Sequence, residues 1–248
     1  MSALAHYIED EGIATVTISL LRLHSEKIAN PRSLWVPFEL GRPLGPPKDA
    51  EFQTRVLSTA LRLLDTGVGP VVLEDFPEED PTAVELPGWH PSFDLPATAD
   101  IDFGDQAAVE SALRQEIALV APAYERFVAS THRTTMGPSG LSVAQCADYL
   151  TAFLAGAPPV SPDPVVPSVQ VLRWAVDDLK VYYLEAMSFG PGIASSRQMQ
   201  SWFWDRTLAA RAILALRLQL LASDDKRSQA IGRMNLVPGV QVQRLGLQ

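Results

Sequence analysis

Thiols and imidazoles are the side chains that most readily do chemistry near neutral pH, and this chain has one cysteine and four histidines. Cys146 lies among Ala144, Ala147, Tyr149 and Leu150 in a helical pattern. There it reads as apolar filler, with no helix start or basic partner to stabilise a thiolate. His6, His24, His90 and His132 show neither HxH nor HExxH spacing, so a metal would need ligands converging from distant loops. No metal or other cofactor is expected. His24 stands apart because it follows soon after an apolar run, a place where substrate groups often lie. Asp177 and Asp178 sit in RWAVDDLKVYYLEA, where Arg173 and Asp177 are four apart and Asp178 shares a face with Glu185. They read either as a polar cluster facing an interdomain cleft or as a solvated face with local ion pairs. Arg32, fixed just after Pro31, could clasp a carboxylate with two parallel hydrogen bonds or form a structural salt bridge.

The loop GRPLGPP (41–47) offers Gly41, Arg42 and Gly45 to a ligand. Pro43, Pro46 and Pro47 lack the N–H groups that would cradle an anion, so it reads as a rigid wall beside a site. It matches neither GxGxxG nor a P-loop.

These residues need elements to position them. Residues 2–11 predict a helix with Ser2 as a cap, Leu4, Ala5 and Ile8 as its apolar stripe and Gly12 as its stop. Residues 13–20 are β-branched and apolar, the pattern of a buried parallel strand. A helical connector over 21–29 leads to a second strand at 34–38, with Pro37 at its end or on a sheet edge. Asp49 caps a helix to Leu64 whose apolar positions are Phe52, Val56, Leu57, Ala60, Leu61 and Leu64, and Gly67 and Gly69 stop it. A short strand is expected at 70–73. Residues 74–104 are rich in proline and acid and read as an irregular linker whose Trp89, Phe93, Leu95 and Phe103 want partial burial. Helices follow at 105–133 (with Pro122 as a kink or break), 142–154, 169–187 and 197–223, then a charged tail. The run Trp202–Phe203–Trp204 points around most of its helix and asks for a core or subunit interface.

The 248 residues are 47% apolar and 20% charged, with net charge −9, and no cluster of Lys and Arg marks a nucleic-acid face. A single cysteine excludes an internal disulfide. The longest apolar run, 208–222, is interrupted by Arg211, Arg217 and Gln219 and is not a membrane span. With no signal-peptide pattern either, a cytoplasmic protein is expected.

The segment IEDEGIATVTI, then NPRSLWVPFELGRPLG, then the helix EFQTRVLSTALRLL, resembles the substrate-side component of the glycine, sarcosine, betaine and D-proline reductases, the selenoprotein B family. The likeness covers about residues 4 to 65. The helical remainder, with DDLKVYYLEA and SWFWDRT, resembles unclassified relatives of that family. The resemblance implies reductive cleavage of a C–N bond in an amino acid or its N-methyl derivative by a thiolate or selenolate, with a partner protein carrying the product onward. It also implies a redox residue just before Ser2, where residue 1 is Met. Two explanations stand. A selenocysteine codon, normally read as stop, would make the true protein longer. Alternatively, the chain has lost the redox centre and keeps the fold for binding.

The expected architecture is therefore an α/β N-terminal part, with parallel strands, helices and an incomplete first β-α unit, followed by a mainly α-helical C-terminal part. The expected divisions are 1–75, a linker at 76–104, and 105–248. The catalytic residue is expected outside the chain. Substrate-binding candidates are His24, Arg32, Gly41, Arg42, Gly45, Asp177 and Asp178. Protein partners or self-association and a small amino-acid-like substrate are expected, without nucleic acid or membrane. The competing expectations are a non-catalytic interaction subunit, paired through the Trp202–Trp204 helix, or an unrelated small-molecule-binding α/β protein.

Overall fold

The computed structural model describes residues 2–39, 41–66, 71–82, 85–97, 101–189 and 194–247. The chain divides into two compact units, residues 1–84 and 85–248. The expected linker is therefore shared. Phe76 is buried in the first unit's core, while Trp89, Phe93, Leu95 and Phe103 pack on the core of the second.

In the first unit, α1 (Ser2–Asp10) leads to β1 (Thr17–Ser19), α2 (Arg22–Ile28), β2 (Arg32–Trp35), α3 (Ala50–Arg62) and β3 (Val72–Asp75). The three strands are parallel in the order β1-β2-β3, with Thr17 opposite Ser33 and Arg32 opposite Val72. The strands are shorter than the sequence pattern suggests. Ile13 lies outside β1 and is 62% exposed, because β1 has β2 as its one partner among the described residues and an edge strand is covered on one side only. Pro37 lies past the end of β2, where no ladder N–H is needed. The strand expected at 70–73 forms at 72–75, and Gly67, Gly69 and Pro70 lie outside the described residues.

Helix α3 begins where Asp49 accepts a hydrogen bond from the Phe52 N–H at 3.0 Å. Its buried face is Phe52, Val56 and Ala60, while Leu57 and Leu61 are exposed. A closing 3₁₀ turn over Leu63–Asp65 tightens the winding and buries Leu63. Phe38, Phe52 and Phe76 form the aromatic centre of this core, with ring centroids 5.5–6.0 Å apart.

The second unit is helical: α4 (Gln106–Thr131), α5 (Val143–Leu154), α6 (Ser168–Met187), α7 (Ser196–Arg206), α8 (Leu208–Leu221), α9 (Lys226–Met234) and α10 (Gly239–Arg244). Helix α4 runs through Pro122 without a break. Helix α6 is buried on several faces, by Leu172, Val176, Leu179, Tyr182 and Tyr183 among others, and packs against α4, α5, α7 and α9. The helix expected over 197–223 is two helices that part at Thr207. Its backbone turns extended, and its hydroxyl accepts from the Ala210 N–H to start α8. The charged tail forms two further helices: Asp225 caps α9 and Pro238 precedes α10. Phe203 and Trp204 are 1% and 3% exposed inside their own unit, so they are core side chains and present no face to a second copy.

Candidate functional site

In an open parallel sheet, ligands gather outside the carboxyl ends of the strands. Here those ends are Ser19, Trp35 and Asp75, aligned by the register of the ladder. The connections leaving them carry α2, the 36–49 loop and the segment after residue 75. His24, exposed in the first turn of α2, and Gly41, Arg42 and Gly45, in the loop after β2, all belong to these connections. Arg32 does not. It opens β2 at the amino end of the sheet, so the strand's length separates it from the connection that carries the loop glycines.

Arg32 is occupied at that end. Its Nη1 donates to Glu9 Oε1 at 2.7 Å, and the same oxygen accepts from the Thr15 N–H at 2.8 Å and the Thr15 hydroxyl at 2.9 Å. The Glu9 carboxyl is held below its ordinary range, first by the Thr15 N–H and further by the Thr15 hydroxyl and Arg32. This contact ties the last turn of α1 to β2. The structural salt bridge is the reading that the geometry fits.

The carboxyl edge has its own clasp. Arg22 Nε meets both oxygens of Asp75 at 3.0 and 3.1 Å, and Arg22 also pairs with Glu26. The link reaches from the start of α2 to the end of β3, across the edge where β2 ends. Nothing in the local sequence joins two residues fifty-three apart, so only the topology reveals it.

The loop after β2 is shaped by contact. Gly45 has φ +82°, and a Cβ there would stand 2.5 Å from the Phe52 ring. Only glycine combines that backbone with that space. Gln53 Nε2 donates to the Pro46 carbonyl at 2.8 Å and holds the loop onto α3. Gly41 and Arg42 remain exposed. A fixed loop base with an exposed tip is the rigid wall that its prolines suggest.

Asp177 and Asp178 lie in the second unit, on opposite sides of a packing boundary. Asp177 pairs locally with Lys180 at 2.8 Å and stands 3.8 Å from Arg173. Asp178 is fully buried and accepts from the Gly137 N–H at 2.8 Å, the Ser139 N–H at 3.0 Å and the Ser139 hydroxyl. Its lone pairs are committed to the turn between α4 and α5. Ser139 Oγ also lies 3.6 Å from Cys146 Sγ. Burial pushes the Cys146 thiol up to about 11, with Asp178 adding to the rise, so it is a poor nucleophile near neutral pH.

Glu116 carries a role that the sequence reading passed over. It is 1% exposed. Its carboxylate accepts from the Leu208 N–H at 2.7 Å, the Ala209 N–H at 3.0 Å and the Tyr183 hydroxyl at 2.7 Å. Desolvation dominates and raises its pKa above the ordinary carboxylate value despite these three donors. The signal was visible: Glu116 stands on the stripe Val109, Leu113, Ile117, Val120, and a carboxylate on such a stripe needs dedicated partners.

Among the described residues, no three His, Cys, Asp or Glu side chains are grouped to hold a metal, and no helix is long and apolar enough to cross a membrane. No protein family, curated protein or solved structure matches the chain.

Proposed function

We propose that the chain is the substrate-side component of a system that reductively cleaves C–N bonds in small amino acids, of the kind formed by the glycine, sarcosine, betaine and D-proline reductases. In this reading it is a cytoplasmic protein that works with protein partners. The observation that carries the proposal is the set of parallel strands whose carboxyl-edge connections carry His24, Gly41, Arg42 and Gly45. The nucleophile attacks the substrate carbon, the C–N bond breaks, and the amine leaves with a proton. That thiolate or selenolate is not Cys146, which is buried and weakly acidic, and the chain has no second cysteine. The chain's part is therefore to seat the substrate. His24 and Arg42 are polar groups that suit a carboxylate.

The test is nuclear magnetic resonance of the 248-residue chain titrated with glycine, sarcosine, betaine and D-proline. At least one should shift the His24 ring signals and the amides of Gly41, Arg42 and Gly45. In a parallel assay with dithiothreitol, the chain alone should release no amine. Silence at those signals with all four compounds sinks the proposal. Turnover that disappears in Cys146→Ala would overturn the assignment of the nucleophile.

One observation favours a second reading, a non-catalytic interaction subunit. Leu4, Tyr7, Ile13, Leu21 and Leu23 are all more than half exposed in the unit whose β1 has one described partner. Sedimentation velocity of the purified chain separates the two: this reading expects self-association that Tyr7→Glu and Leu23→Glu weaken, with no response to the four amino acids.

A further inference from the structure

The second unit holds a cleft of about 840 Å³, within the size range of small-molecule sites. One wall is the segment 89–97, which is neither helix nor strand, and the other is built from Trp202, Asp205 and Arg206 of α7 with Arg211 of α8. Trp89, Phe93 and Trp202 are half-buried, so each gives part of its surface to the core and keeps part for the cleft. Phe93 meets Trp202 edge to face at 5.6 Å and 87°.

An irregular wall has to be fastened if it is to bind. Just upstream, the Gln198 side chain treats Leu86 as a strand would: it accepts from the Leu86 N–H at 2.9 Å and donates to the Leu86 carbonyl at 2.8 Å. Within the segment, Ser92 Oγ donates to the Phe189 carbonyl at 3.3 Å. The wall is thus pinned before a ligand arrives, which reduces the ordering cost of binding.

The charges of the lining are unequally committed. Asp205 is engaged at both oxygens by Arg244, at 3.0 and 2.9 Å. Arg211 lies over the Phe103 ring at 5.2 Å. Arg206 is exposed and has no partner among the described residues. On the other wall stand Asp94 and His90. His90 Nδ1 is 3.0 Å from the Pro91 carbonyl. A carbonyl only accepts, so Nδ1 is the donor in this contact, and in the neutral ring Nε2 is then an acceptor.

We propose that this cleft binds a small planar ring that carries an anionic group. The ring lies against Trp89, Phe93 and Trp202, the anion pairs with Arg206, and Asp94 and His90 accept from N–H or amino groups on the ring's polar edge. The site lies wholly within the second unit and does not rest on the reductase reading, so either can fail alone.

Tryptophan fluorescence of the full chain tests it with four probes: adenylate, indole acetate, tryptamine and inorganic phosphate. Saturable quenching is expected from adenylate or indole acetate, and the tighter of the two identifies the arm as phosphate or carboxylate. Tryptamine, with the ring but a positive arm, should bind at least about tenfold more weakly than the better anion, as should phosphate without a ring. Arg206→Ala should weaken the anionic probes about tenfold with an unchanged circular dichroism spectrum. Trp89→Leu should weaken every ring. The proposal is overturned if tryptamine matches indole acetate, if phosphate matches adenylate, if Arg206→Ala changes nothing, or if neither anionic ring saturates by about 10 mM.

Discussion

The two units solve the same problem, burying enough apolar surface to stay folded, in different ways. Among the described residues, the first has a small core of eight buried side chains around three phenylalanines, and its elements are tied at the rim by ion pairs, Glu9 with Arg32 and Arg22 with Asp75. The second has a far larger core and places carboxylates inside it: Glu116 at the start of α8 and Asp178 under the turn at 137–140. Rim ion pairs are worth little and are screened by salt. Buried carboxylates with satisfied partners are worth much, because removing one leaves donors with no water to turn to. The second unit is therefore the more strongly held, and the first is the part with stability to lose.

The largest expected effect is at Glu116. Glu116→Ala strands two backbone N–H groups and the Tyr183 hydroxyl, and should cost about 3–5 kcal/mol in urea unfolding. Glu116→Gln keeps one acceptor and should cost roughly half of that. A cost below about 1 kcal/mol would break the contrast between the units.

Gly45→Ala comes next and acts on the first unit. The strained φ and the clash with Phe52 together should cost about 2–4 kcal/mol. Trp35 is the first unit's one tryptophan, so its signal should be lost early in thermal melts while helical circular dichroism remains.

Acid should affect the stabilities of the two units in opposite senses. The Glu9 pKa is lowered in the folded state. Its contribution is present above the unfolded carboxylate value, near 4.5, and is lost as pH falls through the folded one. Glu116 runs the other way. Its folded pKa is raised, so the folded state holds the proton more tightly, and its contribution declines as pH rises through the window above 4.5. Acidification below pH 4.5 should therefore weaken the Trp35 signal before the helical one, and Glu9→Gln should flatten the acid dependence of the former.

The smallest effect concerns the cysteine. Alkylation of Cys146 at pH 8 should be slower than that of a free thiol by about a hundredfold or more, since both access and thiolate fraction are reduced. Ser139→Ala should alter that rate only through the turn it supports.

Much of the architecture was legible because its signals are local. Asp49 before an apolar stripe and Gly12 after one each announce a helix end within a few residues. The misreadings came where long-range packing decides. The parting of α7 from α8 at Thr207 is supported by Glu116, some ninety residues away, which meets the new helix start. The strand bounds shifted because only the ladder selects which β-branched residues pair. At the site, the loop residues and His24 fell on one edge, as two parallel strands require. Arg32 fell on the other, because a strand carries its first and last residues to opposite ends. Asp178 reads in the sequence as a cleft-facing or solvated carboxylate, and its role as the anchor of a distant turn was not legible because its partners stand some forty residues away.

The clasp between Gln198 and Leu86 has a practical consequence. It fastens the chain two residues into the second unit, on groups belonging wholly to that unit. A protease that nicked the polypeptide at the boundary would leave the helical fragment with its first anchor and its aromatic cleft wall attached. A fragment beginning at Glu85 is thus the piece to express for study in isolation.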